Sequence, residues 1–252
     1  MTAVSSSTNL DGSQPRRERV ADNLGGAEYA VLDNAVWESL RGTHSRFAQF
    51  YGRAVRYQVD VAPFHALEDP EDPQAWADLA ELTGPAAEVA VAGPVPAEHP
   101  GWQLAGEVGG VQLVDESLRA EPFPEARLLG PPDVPEILDL IERTQPGPFR
   151  QRTIELGTYL GVRREGRLIA MAGERLHPPG WTEISAVCTD PAHRGQGLAT
   201  RLVRAVAAGI RDRGEIPFLH TSAANTNAIR LYESIGFRLR KRTTFALYKS
   251  AL

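Results

Sequence analysis

The chain has 252 residues, of which 42% are hydrophobic and 23% are charged, a composition typical of a globular protein of one large domain or two small ones. The formal net charge of −5 argues against a broad nucleic-acid surface, because phosphate binding relies on clustered Lys and Arg. The single cysteine, Cys188, excludes an internal disulfide and favours a reducing compartment.

The N-terminal residues show none of the apolar character that export or membrane insertion requires. No apolar run in the chain reaches the length of a membrane span, and residues 1–24 lack a signal-peptide core. Their Ser, Thr and Asn content, followed by charged residues, predicts a disordered tail. We therefore expect a cytoplasmic protein that binds neither membranes nor nucleic acid, and no pattern indicates its oligomeric state.

The hydrophobic pattern of residues 25–126 predicts a small α/β domain. Its predicted elements are a helix over 26–42, a strand over 54–61, a helix over 72–84, a strand over 87–93 and a strand or hairpin over 101–116. The helix over 72–84 has the clearest boundaries, since Asp72 is a good N-cap, Pro73 suits the first helical position and Gly84 a helix end. Residues 117–131, rich in Pro and Glu, predict the connection to a second domain.

Residues 127–252 predict a second domain with the order helix, three strands, helix, strand, helix, strand. The first helix begins near Asp133, where Glu136 completes a capping box. The remaining elements are a hairpin over 158–176, a strand over 181–189, a helix over 198–213, a strand over 217–223, a short helix within 225–237 and a strand over 238–249.

The stretch "HRGQGLAT" (193–200) places two glycines at the junction between a predicted strand and a predicted helix. The first N–H groups of a helix have no partner within it, and the helix dipole adds positive charge there, so such an end binds anions. Gly195 and Gly197 let the backbone turn and approach a phosphate, and Arg194 supplies a cation. The sequence has neither GxxxxGK[ST] nor GxGxxG, which excludes a nucleotide-hydrolysing P-loop and disfavours a dinucleotide fold.

Two stretches, "VCTDPAHRGQGLATRLV" (187–203) and "NTNAIRLYESIGF" (225–237), resemble in order and spacing the CoA-binding motifs of the GNAT superfamily of acyl-CoA-dependent N-acetyltransferases. The resemblance covers roughly residues 127–252. It implies a mixed α/β fold, with a central mixed sheet flanked by helices, and acetyl-CoA as co-substrate. No Cys/His cluster has metal-ligand spacing, so we expect no metal.

The first half offers the same order of strand, loop, helix and strand, which favours a degenerate copy of that fold. Its loop, "LEDPEDPQ" (67–74), has four acidic residues where the phosphate motif has glycines and an arginine. Like charges there would repel a pyrophosphate. We therefore expect that this half, if it is a copy, does not bind CoA.

The resemblance also implies roles for individual residues. Main-chain groups of Val187 and Thr189 would pair with the pantetheine arm. The pyrophosphate would be held by Arg194, Gly195, Gln196, Gly197, Leu198, Ala199 and Thr200. Asn225 and Asn227 would contact the CoA arm or orient their helix, and for Asn227 simple helix capping explains the residue equally well.

The catalytic candidates are Tyr232 and Glu183. Tyr232 would lie near the CoA sulfur, where a phenol with a pKa of about 10 can protonate a departing thiolate. Ala228, Leu231 and Ile235 share its helix face, so a purely structural role as a core aromatic is the alternative. Glu183, early on the strand that leads to the phosphate loop, would take the proton of the amine directly or through water, and an exposed strand glutamate is the alternative.

Three weaker candidates for the base are Glu174, His177 and His220. Cys188 has no neighbour in the sequence that would lower its pKa, which disfavours an acetyl-cysteine intermediate. The predicted function is the transfer of an acetyl group from acetyl-CoA to a primary amine, on a small molecule or a peptide, by direct attack. A non-catalytic acyl-CoA-binding or scaffolding protein of the same fold is the alternative.

Overall fold

The computed structural model describes residues 26–92 and 98–251, and the predicted tail over 1–24 lies outside the described residues. In the described chain one mixed sheet has twelve strands: β1 Ala48–Tyr51, β2 Ala54–Tyr57, β3 Phe64–Leu67, β4 Glu88–Ala92, β5 Glu98–His99, β6 Trp102–Asp115, β7 Arg127–Leu128, β8 Tyr159–Arg164, β9 Arg167–Glu174, β10 Trp181–Thr189, β11 Ile216–Ser222 and β12 Phe237–Ser250. The α-helices are α1 Ala35–Arg41, α2 Pro73–Thr83, α3 Val134–Thr144, α4 Leu198–Asp212 and α5 Thr226–Ser234.

The two halves of the chain repeat one topology within this sheet. The strand order is β1-β2-β3-β4-β12-β6-β11-β10-β9-β8-β7, with β5 paired to β6. In the first half β1, β2 and β3 are antiparallel, and α2 then leads to β4, which is parallel to β3. In the second half β8, β9 and β10 are antiparallel, and α4 leads to β11, parallel to β10. The predicted fold class is therefore confirmed, and the element order predicted after residue 127 agrees with the structure except for the short strand β7, which was not predicted.

The halves also exchange their central strands. Strand β6 of the first half lies between β11 and β12, and β12 of the second half lies between β6 and β4. The sheet is thus continuous across residue 126, where the sequence predicts a boundary. The division into two domains and the copy relationship stay predictions, and the repeated topology supports the second.

Helices cover both faces of the sheet in the second half. Successive strand residues point to opposite faces, and on β9 Met171 packs in one buried cluster with Ile137 and Leu140 of α3. Its neighbour Ala172 packs in another, with Leu202 and Val206 of α4. A third buried cluster joins the halves, since it combines residues such as Trp37 and Val55 with Trp181 and Phe218.

Two predicted elements of the first half are shorter than expected. The predicted helix over 26–42 is a 3-10 helix, Ala27–Leu32, followed by α1. The break lies at Asn34, whose side chain donates from Nδ2 to the carbonyl of Leu67 at 2.7 Å and does not bond the first turn of α1. The strand predicted over 54–61 ends at Tyr57, because the carbonyl of Gln58 accepts from the N–H groups of Val61 and Ala62 in a turn.

Candidate active site

The centre of the site is a gap between two parallel strands. Strands β10 and β11 are paired only from Trp181 to Ile184 on the β10 side. Beyond this point β10 has a bulge, where its register with β9 shifts between Ser185 and Cys188 and Ala186 has a φ of 52°. A bulge bends its strand, and the β11-facing edge of residues 185–189 is left without a strand partner in the described sheet.

This gap opens into a cavity of about 600 Å³, which we call the main cleft. The predicted cofactor-binding residues that line it are Val187, Thr189, Arg194, Gly195, Gln196, Gly197, Leu198, Ala199, Thr200, Asn225 and Tyr232. It is also bordered by the end of α3 at Thr144 and by Arg175 and His220. The structure therefore brings together every predicted cofactor-binding residue except Asn227.

The start of α4 presents a row of free main-chain donors to the main cleft. Among the described residues, no acceptor bonds the N–H groups of residues 195–200. Gly195 and Gly197 have φ angles of 77° and 71°, the left-handed region in which glycine carries no Cβ penalty. An added Cβ would meet no protein atom within 4 Å at either position, so the backbone conformation, and not crowding by the protein, explains both glycines.

Two polar side chains add to this anion-binding end. The Arg194 guanidinium donates from Nε to the carbonyl of Thr189 at 3.3 Å, which keeps it beside the loop. The Thr189 hydroxyl is buried, and no described residue is its hydrogen-bond partner. Because buried polar groups are nearly always paired in native proteins, the main cleft fits a ligand that has polar groups along its length, as the pantetheine arm and diphosphate of CoA do.

The N-cap of α5 is not the residue that the sequence interpretation favoured. Asn225 is the N-cap, and its Oδ1 accepts from the N–H of Ala228 at 3.2 Å. Asn227, the predicted cap, lies inside the first turn, is exposed and does not line the main cleft. An Asn two residues earlier meets the same requirement, because a cap bonds the N–H two or three positions later.

Tyr232 and Cys188 both line the main cleft and are buried. Burial raises the pKa of Tyr232 to about 12, so its phenol stays protonated at neutral pH. Burial likewise raises the pKa of the Cys188 thiol to about 11. A thiol in this state is a weak nucleophile, which opposes an acetyl-cysteine intermediate.

Glu183 is wholly buried and does not line the main cleft, so it is not the exposed strand residue of the alternative interpretation. Its carboxylate forms two bonds with Arg175, Nε to Oε2 at 2.8 Å and Nη2 to Oε1 at 2.7 Å, and Oε1 lies 2.7 Å from Nδ1 of His220. Burial alone would raise its pKa, but Arg175 and His220 outweigh burial and lower the pKa to about 2. Such a carboxylate is a weak base, and its surroundings oppose a direct role in taking the amine proton.

The other candidates for the base differ in their position. Glu174 and His177 are buried outside the main cleft, where Glu174 accepts from Arg213 at 3.0 Å and from the N–H of Thr158 at 3.1 Å. Burial lowers the pKa of His177 to about 4. His220 is the candidate that lines the main cleft.

Two residues at the site were not singled out by the sequence analysis, namely Arg175 and Gln112. Gln112 lies on β6 between Val111 and Leu113 and is as deeply buried as they are. A glutamine within an apolar strand is the signal that could have identified it, because buried amides need partners. Arg175 directly follows β9, and only the pairing of β9 with β10 brings it to Glu183.

A second pocket, of about 30 Å³, shares Arg175 and His220 with the main cleft. Gln112, Lys241 and residues 32–36 contribute to its lining. In the part of the chain that the structure describes, no three His, Cys, Asp or Glu side chains are grouped in a way that could hold a metal ion. None of the described helices has the length and apolar character needed to cross a membrane.

Comparisons with known proteins identify relatives of this chain. The model of the FR47-like protein family matches residues 159–246. Among curated proteins, the N-alpha-acetyltransferase RimI of Mycobacterium tuberculosis is 37% identical over 90 residues, which are 33% of this chain and 56% of RimI. The mycothiol acetyltransferase of Thermomonospora curvata is 40% identical over 83 residues, 32% of this chain and 27% of that protein. The chain thus matches about half of the first relative and about a quarter of the second.

A solved structure extends the similarity to nearly the whole chain. A GNAT-family protein of Novosphingobium aromaticivorans DSM 12444 has 42% sequence identity and a TM-score of 0.80, over 88% of this chain and 99% of that one. The protein described here therefore belongs to the GNAT family, as the two motifs indicate.

Proposed function

We propose that the protein transfers an acetyl group from acetyl-CoA to a primary amine by direct attack. The observation that carries this proposal is the gap between β10 and β11, because it opens beside the uncapped start of α4 and ends at Tyr232. The names of both curated relatives include acetyl transfer, which supports the proposal. One of these names indicates an α-amino group and the other names mycothiol, so the acceptor class is left as a small-molecule or peptide amine.

The residues that line the main cleft would bind the parts of acetyl-CoA in the order in which these parts follow one another. The free edge of β10 at Val187 and Thr189 would pair with the pantetheine amides as a neighbouring strand does. The N–H groups of residues 195–200 and the Arg194 side chain would hold the diphosphate at the start of α4. Asn225, which caps α5, would contact the arm from the other side of the gap. Alignment of amine and thioester would supply most of the acceleration.

Tyr232 would act as the general acid. The amine nitrogen bonds the thioester carbonyl carbon, and the carbon–sulfur bond breaks with its electron pair going to sulfur. Tyr232 then donates its phenolic proton to sulfur, for which a pKa of about 12 keeps it available at neutral pH. Tyr232 recovers a proton from the amine nitrogen by way of solvent.

The test is release of CoA thiol from acetyl-CoA across a panel of primary amines, together with calorimetry of acetyl-CoA binding. We expect binding, and release with at least one amine. Tight binding without release for any acceptor would favour the non-catalytic acyl-CoA-binding protein instead. No heat of association with CoA or acetyl-CoA would overturn both functions.

The Tyr232→Phe variant tests the acid. We expect kcat to fall roughly 100-fold, because general acids contribute on this scale, while acetyl-CoA affinity changes less than about twofold. Tyr159→Phe is the matched control, since the Tyr159 hydroxyl is also buried but has no described partner and lies outside the main cleft. Full activity of Tyr232→Phe would show that the acid is another group.

A further inference from the structure

His220 lies where the main cleft and the second pocket meet. It is on β11, lines both cavities and is close to fully buried, with a side-chain exposure of 11%. Both nitrogens of its ring have polar partners, Glu183 on one side and Gln112 on the other. These two partners determine which nitrogen carries the proton.

The Nδ1 side follows from the state of Glu183. Arg175 forms two bonds with its carboxylate, which holds Glu183 in the ionised form, an acceptor only. His220 Nδ1, 2.7 Å from Oε1, must therefore be the donor and carry a hydrogen.

The Nε2 side follows from the orientation of the Gln112 amide. Its Oε1 accepts from Nη1 of Arg240 at 2.7 Å, and its Nε2 donates to the carbonyl of Leu32 at 3.0 Å. These two bonds place the amide NH2, not the oxygen, 3.0 Å from Nε2 of His220. His220 Nε2 is thus an acceptor without a hydrogen, and the neutral Nδ1-H tautomer is the one that the site holds.

We propose that Nε2 of His220 takes the proton from the acceptor amine, and that Glu183 and Gln112 are positioning residues for this histidine. The inference rests on the proposed acetyl transfer and names its base. An ammonium group gives one proton to Nε2, and its nitrogen then bonds the thioester carbonyl carbon as sulfur leaves. The second nitrogen proton passes through solvent to replace the one lost by Tyr232, and His220 returns its own proton to solvent.

The charges around His220 suit this step. The imidazolium that forms lies against the Glu183 carboxylate, itself anchored by Arg175. On the Gln112 side Arg240 bonds the Gln112 oxygen and Lys241 lines the second pocket, and both cations are paired with Asp33. The positive charge is therefore stabilised from β10, while the first half of the chain presents a neutral amide to Nε2.

The same contacts indicate the side from which the amine enters. Gln112, the partner of Nε2, lines the second pocket and not the main cleft, so Nε2 faces the second pocket. An amine arriving there replaces one N–H of Gln112 at Nε2, and the other N–H stays on the Leu32 carbonyl. Because His220 also lines the main cleft, an amine held at Nε2 lies where the two cavities meet, within reach of a thioester held by the second half.

The first experiment removes the base. For His220→Ala, assayed with the amine that gives wild type its fastest CoA release, we expect kcat to fall roughly 10²- to 10⁴-fold while acetyl-CoA affinity stays within about twofold. Added imidazole should restore activity in proportion to its concentration, which a purely structural role would not allow. Retention of more than half the wild-type kcat, or loss without imidazole rescue at unchanged acetyl-CoA binding, would overturn the proposal. A wild type that releases no CoA with any amine would instead refute the proposed transfer itself.

The second experiment changes the group facing Nε2. In Gln112→Glu a carboxylate replaces the amide and stabilises imidazolium, so a higher pH is needed to free Nε2. We expect the acidic limb of the kcat/KM profile to move upward by roughly one to three pH units relative to wild type. Gln112→Met, uncharged and of similar length, is the matched control and should move the limb less. Identical profiles for the two variants would show that His220 is not the base.

Discussion

The two strand–helix–strand units of the protein have the same topology and opposite chemistry at the start of the helix. Before α4, Gly195 and Gly197 have left-handed backbones and the following N–H groups have no described acceptor. Before α2, Asp72 accepts from the N–H of Gln74 at 2.9 Å and Asp69 from that of Glu71 at 2.9 Å.

The comparison shows that a repeated fold does not carry its binding site with it. In the first half, side-chain carboxylates of the protein already accept from the main-chain N–H groups that an external anion would use. These N–H groups are therefore not available to a ligand. In the second half glycine leaves the donors free, so an external anion can take them. Capping, and not topology, therefore distinguishes the half that we propose to bind a phosphorylated ligand from the half that we do not.

The largest effect is expected from placing a carboxylate in the second half. In Gly197→Asp the new charge lies at the start of α4, where it competes for the free N–H groups and repels phosphate. We expect acetyl-CoA affinity to fall roughly 100-fold, about 3 kcal/mol, by calorimetry. Gly197→Asn has the same shape without charge and should lose far less. Equal affinities in the two variants would refute the electrostatic part of the comparison.

A smaller effect is expected from the backbone of the loop. Gly195→Ala puts a Cβ on a residue with a φ of 77°, at a cost of roughly 1–2 kcal/mol in the free energy of unfolding. Gly209→Ala, in the interior of α4 and with the same open surroundings, should instead stabilise by roughly 0.5–1 kcal/mol. Denaturant unfolding of both variants measures the difference, and a Gly195→Ala variant as stable as wild type would contradict the strained conformation.

The smallest effect is expected in the first half. Asp72→Ala removes the cap of α2 and its ion pair with Arg53, which should lower the midpoint of thermal unfolding by about 2–4 °C. The affinity for acetyl-CoA should not change, because this helix start takes no part in the proposed site. A change in affinity would mean that the acidic loop acts on the ligand after all.

Most features that depend only on residues close together in the chain could be predicted from the sequence. The cap and both ends of α2 and the glycine loop before α4 depend on neighbours in the chain, and the structure agrees with each. The element order after residue 127 agrees except for the short strand β7. The capping box predicted at Asp133 is wrong, because the Asp133 carboxylate accepts from the N–H of Gly130 instead. The break between the 3-10 helix Ala27–Leu32 and α1 was not predictable, because it depends on a bond from Asn34 to Leu67.

The parts of the site that depend on pairing between strands far apart in the sequence could not be predicted either. Glu183 was identified as a candidate, but it is bonded to Arg175 and lies on a strand paired with β11, and its local pattern encodes neither contact. Gln112 reaches His220 only because β6 pairs with β11, across 108 residues of chain. Alternation can show that a strand residue is buried, but not which distant strand lies beside it.

The exchange of β6 and β12 has a consequence for how the protein is made. Strand β12 occupies the middle of the sheet, bonded to β4 on one side and β6 on the other, and it is the last of the described strands to leave the ribosome. Until it emerges, β4 and β6 each have an open edge, and such edges invite association with other nascent chains. Co-translational folding can therefore finish neither half by itself, and chaperones that shield strand edges should be needed until β12 has emerged.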